Sequence, residues 1–216
     1  MWSEEALGFV SAKGKNIQGT EKDDKLNGGK DDDTIRALDG DDVVKGKKGN
    51  DNIDGGDGAD TLRGEAGNDT VKGGKDDDRI KGDAGNDKLA GGAGADKVEG
   101  GAGNDTVAGD AGNDKLFGDR GNDALSGGAG KDALRGGAGN DVLSGGAGVD
   151  TFVFGKKEGD DVIRDFKDGT DLIDLRGQTF TVSENKSGFA VLDLSGGGTV
   201  TLKGIDMEDV NADWFL

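Results

Sequence analysis

The feature that most constrains this chain is a nine-residue period that runs from Gly19 to Val153 without an insertion. The stretch GGAGNDVLSGGAGVDTF, residues 136–152, illustrates it. Fifteen units follow one another, and in all fifteen the sixth residue is aspartate and the eighth is apolar. A flexible glycine-rich linker has no physical reason to keep an apolar residue in register fifteen times. The period therefore indicates a repeated unit of structure.

Each column of the unit has a physical role. Glycine at the first, often the second, and the fourth position permits positive φ, so the first six residues are expected to form a tight turn whose carbonyls point inward. Residues seven to nine are expected to form a short strand in which only the eighth side chain faces the interior. Two units then complete a coil of eighteen residues. The predicted fold is all-β, a parallel β-roll of two parallel sheets around a thin apolar strip.

The stacked turns would place aspartates about 5 Å apart along each edge of such a roll, where like charges repel. A hard cation removes this repulsion, and ligation by carboxylate and carbonyl oxygen alone favours calcium over magnesium or zinc. Stacking of each unit on the next but one predicts about thirteen calcium ions. The predicted ligands are Asp24, Asp33, Asp42, Asp51, Asp60, Asp69, Asp78, Asp87, Asp96, Asp105, Asp114, Asp123, Asp132, Asp141 and Asp150, with Gly55, Gly56, Gly58, Gly91, Gly92, Gly94, Gly100, Gly101, Gly103, Gly127, Gly128, Gly130, Gly136, Gly137 and Gly139.

The composition indicates a chain that folds only when a cation is bound. Only 31% of the residues are hydrophobic, and 27 basic residues face 45 acidic ones, for a net charge of -18. Low hydrophobicity with high charge is typical of disorder unless a cation neutralises the chain, and the negative charge disfavours nucleic acid as a partner. Thirteen calcium ions would add about 26 positive charges and leave the particle near neutral to mildly basic.

The absence of certain residue types excludes several kinds of chemistry. The chain has no cysteine and no histidine, which excludes disulfides, thiolate metal sites, Ser-His-Asp triads and HExxH zinc sites. We expect no enzyme activity because the abundant carboxylates already have a metal role, although a carboxylate-only lyase or glycosidase stays open. No apolar run is long enough to span a membrane, and MWSEEALGFV lacks the basic start and apolar run of a signal peptide, so we expect no Sec-type signal. We expect a monomer without a membrane span.

The units GGAGNDVLS, GGAGADKVE and GDAGNDKLA resemble the GGxGxDxUx nonapeptide of the repeats-in-toxin family, the haemolysin-type calcium-binding repeat. The family includes haemolysins, serralysin-type proteases, secreted lipases and alginate epimerases. The resemblance covers residues 19–153. It implies a parallel β-roll with calcium in its turns, export through a type I secretion channel, and folding outside the cell. Lys22, Asp31 and Asp76 replace the glycine of the fourth position, which predicts weaker sites in the first turns and the seventh unit.

The two ends suggest three regions: a lead-in or cap at 1–18, the repeats at 19–153, and a capping region with a secretion signal at 154–216. In the lead-in, Ile17 matches the eighth position of a degenerate repeat unit, which would form half a coil. SEEALGFV could form one helical turn with Ser3 as its N-cap, and a remnant linker from a lost catalytic domain is the alternative. After the repeats, TFVFGKKEGDDVIRDFKDGTDLIDL resembles the segment that follows the last repeat in serralysin-type proteases and alginate C-5 epimerase modules.

Within residues 154–216 the pattern predicts a hairpin around Gly196 to Gly198 and a last helical turn capped by Asp206. The end DWFL, residues 213–216, resembles the export signal of the family. The apolar residues expected to cap the core are Phe152, Phe154, Ile163, Phe166, Ile173 and Leu175. By the same resemblance an extra calcium site is expected among four further carboxylates, for which solvated turn residues are the alternative: Asp161, Asp165, Asp171 and Asp174.

These observations favour a secreted calcium-binding module that folds outside the cell and supports type I secretion, either alone or as the tail of a larger enzyme. The alternative is a module that binds an acidic polysaccharide such as alginate, since alternate units would place basic residues on one outer face. Solubility is a simpler role for the same residues. An ice-binding face would need a ladder of threonines, and the second position offers only Thr20. The candidate polysaccharide-binding residues are Lys45, Arg63, Arg79, Lys81, Lys97 and Lys115.

Overall fold

The computed structural model describes residues 14–216, which form a roll of two long sheets followed by a β-rich cap. Two short 3-10 helices, Met207–Asp209 and Ala212–Trp214, follow the last strand, and no helix within residues 14–216 has the length and apolar character needed to cross a membrane. The strands are β1 (Asn16–Gln18), β2 (Lys25–Asn27), β3 (Thr34–Asp39), β4 (Val43–Lys48), β5 (Asn52–Asp57), β6 (Thr61–Ala66), β7 (Thr70–Lys75), β8 (Arg79–Ala84), β9 (Lys88–Ala93), β10 (Lys97–Ala102), β11 (Thr106–Ala111), β12 (Lys115–Arg120), β13 (Ala124–Gly130), β14 (Ala133–Ala138), β15 (Val142–Gly148), β16 (Thr151–Val153), β17 (Asp160–Ile163), β18 (Leu172–Asp174), β19 (Phe180–Glu184), β20 (Ala190–Leu194) and β21 (Thr199–Leu202).

Alternate units lie in opposite sheets. A twelve-stranded sheet has the order β1-β3-β5-β7-β9-β11-β13-β15-β17-β21-β20-β19, and a nine-stranded sheet has the order β18-β16-β14-β12-β10-β8-β6-β4-β2. Neighbouring repeat strands are parallel and offset by eighteen residues, as in the pairs Ile35 with Ile53 and Val44 with Leu62. This confirms the predicted parallel β-roll of two sheets.

The core of the roll is a strip one side chain wide from each sheet. The residues of the eighth position are almost completely inaccessible to solvent from Ile35 onwards, at 0–3% exposure. The prediction for this column is therefore confirmed. Because each strand contributes one apolar side chain, the strip alone gives the roll a much thinner core than a globular domain of this length.

The strands are longer than the pattern suggested. Instead of spanning positions seven to nine, most continue through the first three residues of the next unit, as in β5 and β6. Pairing skips the first position and resumes at the second and third, for example Leu38 with Gly56 and Asp39 with Asp57. The turn is consequently confined to positions four to six, and the coil has two tight corners rather than two broad loops.

The turns stack into two rows, which we call the even edge and the odd edge after the units counted from Gly19. The even edge carries the aspartates Asp33, Asp51, Asp69, Asp87, Asp105, Asp123 and Asp141. The odd edge carries Asp24, Asp42, Asp60, Asp78, Asp96, Asp114, Asp132 and Asp150. Each edge is thus a column of equivalent turns, one per coil.

The cap continues both sheets and then closes them. Strand β17 pairs with β15, β18 pairs with β16, and β21 joins β17 in parallel. Strands β19, β20 and β21 are antiparallel, which confirms the predicted hairpin around Gly196 to Gly198. The predicted capping residues are all buried, at 0–6% exposure, and this prediction is confirmed for Phe152, Phe154, Ile163, Phe166, Ile173 and Leu175.

Two further predictions concern the ends of the chain. Ile17 pairs with Ile35 and packs against the core, as the half-coil interpretation predicted. The helical turn proposed for SEEALGFV falls on residues outside the described range. Asp206 does precede the helix Met207–Asp209, but its side chain makes no capping hydrogen bond, so that part of the prediction is wrong.

Candidate metal centre

The sixth-position aspartates form two hydrogen-bonded rows, one along each edge. The backbone N–H of each aspartate donates to Oδ1 of the aspartate one coil further on, from Asp24 to Asp132, at 2.7–3.0 Å. From Asp33 to Asp150 the aspartates are 0–2% exposed. The side chain therefore ties successive turns together, and it does so inside the protein rather than at its surface.

The second carboxylate oxygen of the same side chains has no partner. Within residues 14–216, no donor reaches Oδ2 of Asp42, Asp51, Asp60, Asp69, Asp78, Asp87, Asp96, Asp105, Asp114, Asp123, Asp132, Asp141 or Asp150. A buried carboxylate oxygen without a donor is strongly unfavourable unless it is protonated or bound to a cation. Thirteen equivalent atoms in this condition call for a common explanation.

Burial also changes the protonation of these carboxyls. It raises the pKa of Asp60 and Asp114 to about 6 and that of Asp69 and Asp123 to about 7. The backbone donor on Oδ1 lowers the pKa by a smaller amount, and neighbouring carboxylates in the same row raise it further. Without a cation, the folded roll thus resists the full ionisation of its own rows.

The predicted glycines play two different roles. Those of the second position, such as Gly101, and of the fourth, such as Gly103, have φ values of 115° and 137°, which favour glycine as predicted. Those of the first position do not have positive φ, so the prediction is wrong for them. A Cβ on Gly100 would instead lie 2.5 Å from Oδ2 of Asp105 and 2.9 Å from the carbonyl oxygen of Gly118. Glycine is needed here because the aspartate occupies the space.

Carboxylate and carbonyl oxygens converge over the first-position glycine. The carbonyl in question belongs to the first residue of the next turn on the same edge, and the arrangement recurs at Gly55, Gly82 and Gly109. No group of three or more His, Cys, Asp or Glu side chains gathers in the described part of the chain. A cation here would therefore be held by one carboxylate and main-chain oxygens, and this hard-oxygen donor set fits calcium.

The first two units differ from the interior. Oδ2 of Asp24 accepts hydrogen bonds from the Thr20 N–H at 2.6 Å and the Thr20 hydroxyl at 2.9 Å. Oδ2 of Asp33 accepts from the Gly29 N–H at 2.5 Å. The seventh unit keeps the interior geometry, because Asp76 adopts a φ of 72° in place of glycine and Oδ2 of Asp78 remains without a donor among the described residues.

The four carboxylates singled out after the repeats do not gather into one cluster. Oδ1 of Asp161 and Asp171 accept from the N–H groups of Asp141 and Asp150, so these two residues extend the rows by one turn on each edge. Asp165 accepts from the Ser144 hydroxyl and two backbone N–H groups. Asp174 pairs with Arg176.

A row of asparagines at the fifth position of the even edge was not singled out from the sequence. The backbone N–H of each donates to the side-chain oxygen of the previous one at 2.7–2.8 Å. The signal is present in the sequence, because alternate units carry Asn50, Asn68, Asn86, Asn104, Asn122 and Asn140. This row stacks the turns on their solvent side and leaves the buried side to the aspartates.

The candidate polysaccharide-binding residues all lie on strands of the nine-stranded sheet. Lys45, Arg63 and Lys81 are in register at the ninth position, and Arg79, Lys97 and Lys115 are in register at the seventh. The face is less basic than expected. Arg63 pairs with Asp83 through two hydrogen bonds of 2.9 and 3.0 Å, and Lys81 and Lys97 share Glu99. The second position, which was predicted to lie in the turn, instead contributes acids such as Asp83 to this outer face.

A family model described as RTX calcium-binding nonapeptide repeat matches residues 16–44, 37–71, 63–98, 72–107, 91–125, 99–134 and 126–156. Among solved structures, the extracellular lipase LipA from Serratia marcescens is 18% identical over 93% of this chain, with a TM-score of 0.45. This chain spans 40% of that lipase. The AlgE6R3 subunit of the Azotobacter vinelandii mannuronan C5-epimerase is 29% identical over 56% of this chain and 76% of its own, with a TM-score of 0.30. No curated protein matches the chain.

Proposed function

The chain belongs to the family of RTX calcium-binding nonapeptide repeat proteins, and from this premise we propose that it is a secreted module whose β-roll folds when calcium binds outside the cell. The repeats of this family bind calcium and are not catalytic. We assign the roll to residues 19–153, a lead-in to residues 1–18, and a cap to residues 154–216. The calcium-driven fold is the activity of the module.

The single observation that carries the proposal is the pair of buried aspartate rows with their partnerless oxygens. Calcium, when bound, supplies positive charge to carboxylate and carbonyl oxygens that the folded chain brings together but does not satisfy. Oδ1 of each aspartate keeps the turns stacked through its hydrogen bond, while Oδ2 would hold the ion. Binding energy given only to the folded state then drives folding.

The rows also suggest where the ions lie. The thirteen partnerless Oδ2 atoms run from Asp42 to Asp150, which supports about thirteen ions and assigns none to Asp24 or Asp33. The ions would offset the net charge of -18. Glycine carbonyls of the first, second and fourth positions are the further ligands in this proposal.

The proposal extends to export by a type I secretion system, with residues 213–216 in the signal. Trp214 is 2% exposed, and its indole N–H donates to Oδ1 of Asp168 at 2.7 Å. A secretion system could bind this side chain only before the cap folds. Folding after export agrees with that order of events.

Circular dichroism with and without calcium tests the proposed function. We expect a largely unfolded spectrum in EDTA and a β-rich spectrum at millimolar calcium, with about thirteen ions bound per chain. The magnesium-loaded protein is the matched control, and it should stay unfolded because magnesium is reluctant to give up its waters. An unchanged β spectrum in EDTA contradicts the proposal.

Binding of an acidic polysaccharide is a second candidate function, favoured by one observation. A surface cavity of about 570 Å³ lies beside Lys45, on the face where the basic residues are in register. Four basic residues line it together with two acidic ones: Lys30, Lys47, Lys48 and Arg63, with Glu65 and Asp83. An acidic chain lying along the roll axis would meet one ninth-position basic residue in each of three successive coils, at Lys45, Arg63 and Lys81, about 4.8 Å apart. The ion pairs of Arg63 and Lys81 reduce the charge available to it.

Calorimetry with alginate oligomers in calcium buffer tests this candidate. Binding should weaken as salt rises and disappear in the triple variant Lys45→Glu, Arg63→Glu, Lys81→Glu. A variant that changes Arg36 and Lys72 to Glu on the opposite sheet is the matched control. If the folded protein does not bind at low ionic strength, the basic residues serve solubility alone.

A further inference from the structure

The cap contains a buried glutamine in an unusual environment. Gln178 is 8% exposed, and its Nε2 lies 3.2 Å from the carbonyl oxygen of Phe154, 2.9 Å from that of Gly155 and 3.1 Å from that of Leu175. An amide nitrogen has two hydrogens and can satisfy two of these three acceptors at a time. Three main-chain oxygens around one nitrogen form a setting that suits a cation.

The carbonyls around Gln178 belong to turns that continue the even edge. In the repeats, the backbone N–H of a first-position residue donates to a carbonyl oxygen in the following coil. That carbonyl belongs to the residue just before the first position of the next unit on the same edge, as when Gly28 donates to Lys45, which precedes Gly46. Phe154 donates to Asp174 in the same way. Phe154 and Leu175 are therefore first-position residues of successive turns. In the repeats, the carbonyls of that position lie beside the partnerless aspartate oxygens.

The other amide atom of Gln178 supports the assignment of its nitrogen. Oε1 is buried and has no donor within residues 14–216. It lies in the space that a Cβ on Gly196 would fill. Exchanging the two atoms would place an oxygen among three carbonyl oxygens, which is electrostatically worse. The nitrogen therefore faces the carbonyls.

The odd edge ends in a related way. The ammonium group of Lys167 contacts the carbonyl oxygen of Gly146, a second-position residue of the last repeat. The backbone N–H of Lys167 donates to Oδ2 of Asp171 at 2.9 Å. Oδ2 of Asp171 has a donor from its own turn, whereas Oδ2 of Asp150 in the turn before has none among the described residues.

We propose that Gln178 is the chain's own substitute for a calcium ion, closing the even edge, and that Lys167 does the same on the odd edge. Their N–H groups satisfy inward carbonyls where the row of metal sites ends. The last turn on each edge thereby needs no metal, and the ions end at the turn before it. The proposal rests on the proposed function, since it concerns where calcium binding stops.

Gln178→Glu provides the sharpest test, because it replaces a donor with a carboxylate among the three carbonyls. We expect this variant to bind one more calcium ion per chain than the wild type, measured by isothermal titration and native mass spectrometry. Gln178→Met, of similar size and without a donor, is the matched control. It should keep the wild-type number of ions and unfold at a lower temperature in saturating calcium.

The outcomes separate this proposal from the proposed function. If the Gln178→Glu variant folds and binds the wild-type number of calcium ions, the proposal that the Gln178 amide takes the place of a calcium ion is overturned. If Gln178→Glu does not fold, the Met variant decides, and unfolding at the wild-type temperature overturns the proposal. A wild-type chain that binds no calcium contradicts the proposed function instead, and the comparison of the Met variant with the wild type still applies.

Discussion

The roll and the cap are built from the same kind of strand but are stabilised in different ways. The roll buries one apolar side chain per strand next to a row of carboxylates whose second oxygen has no donor. The cap buries an aromatic cluster in which the rings of Phe166 and Trp214 lie 4.8 Å apart, centroid to centroid. Its buried polar groups at Trp214 and Asp171 have donors or acceptors within the chain. The difference predicts which region depends on calcium.

Removing calcium should have the largest effect and should separate the two regions. Because the roll loses the ions that neutralise its rows, we expect its backbone amides to lose protection from hydrogen exchange almost completely. The amides of β19, β20 and β21 should lose less, since antiparallel pairing and aromatic packing hold them. Hydrogen-exchange mass spectrometry in EDTA resolves the segments. Equal loss in both regions would show that the cap is as calcium-dependent as the roll.

Acid should partly replace calcium in the roll. Burial raises the pKa of Asp69, Asp78 and Asp123 from 3.8 to about 7, so the folded calcium-free state binds protons that the unfolded chain releases. This contribution to stability is fully present below about pH 3.8 and is lost as the pH rises through about 7. Calcium-free protein should therefore have more β structure at pH 5 than at pH 8.

Circular dichroism of calcium-stripped protein checks this expectation. When calcium is present, acid should instead destabilise the folded roll, because protons compete with calcium for the same carboxylate oxygens. The calcium concentration at the folding midpoint should therefore rise as the pH falls from 8 to 5. A midpoint that does not change with pH would mean that the aspartates do not bind the ions.

Trp214→Ala should weaken the cap and leave the rows intact. The side chain is 2% exposed and packs on Phe166, so its loss should cost about 3–5 kcal/mol of cap stability. The number of ions bound should not change. Thermal unfolding in saturating calcium measures the loss of stability. The control is Leu216→Ala, because Leu216 is 69% exposed and its truncation should lower the stability by less than about 0.5 kcal/mol. A lower ion count in the Trp214 variant would show that cap and rows are coupled.

Replacing an aspartate in the interior of the roll should shift the calcium midpoint more than replacing the aspartate of its first turn, and this difference should be smaller than the effects above. Asp105→Ala removes the acceptor of the Asp87 N–H and a partnerless oxygen, and a buried donor left unpaired costs about 1–3 kcal/mol. Asp24→Ala should shift the calcium midpoint less, because Oδ2 of Asp24 already accepts from Thr20. Calcium titrations followed by circular dichroism compare the two variants, and equal midpoints would contradict the stacked-site arrangement.

The sequence predicted the coil because its information is periodic. Apolar residues at the eighth position and aspartates at the sixth determine the sheets, the register and the buried rows. The sequence did not predict the role of the glycine at the first position of each unit. A glycine can be required either because the backbone needs a positive φ or because another atom lies where a side chain would be, and the sequence alone does not distinguish the two. Only the position of Asp105 over Gly100 separates the two.

Non-local contacts account for most of the other differences. The pairing of Arg63 with Asp83 joins the ninth position of one unit to the second position of a unit that lies further along the chain. The second position had been predicted to lie in the turn rather than on the strand. The parallel pairing of β21 with β17 joins segments almost forty residues apart. A lone glutamine in a loop carries no pattern at all, so Gln178 could be recognised only from the carbonyls that surround it.

The alternation of units between two sheets limits how a gene for such a roll can change length. Loss or duplication of two units keeps every downstream strand in its own sheet and every downstream turn on its own edge. Loss of one unit moves all of them to the opposite side, so that β17 and β18 of the cap would meet the wrong partners. Gene rearrangements that preserve this protein should therefore add or remove repeats in pairs.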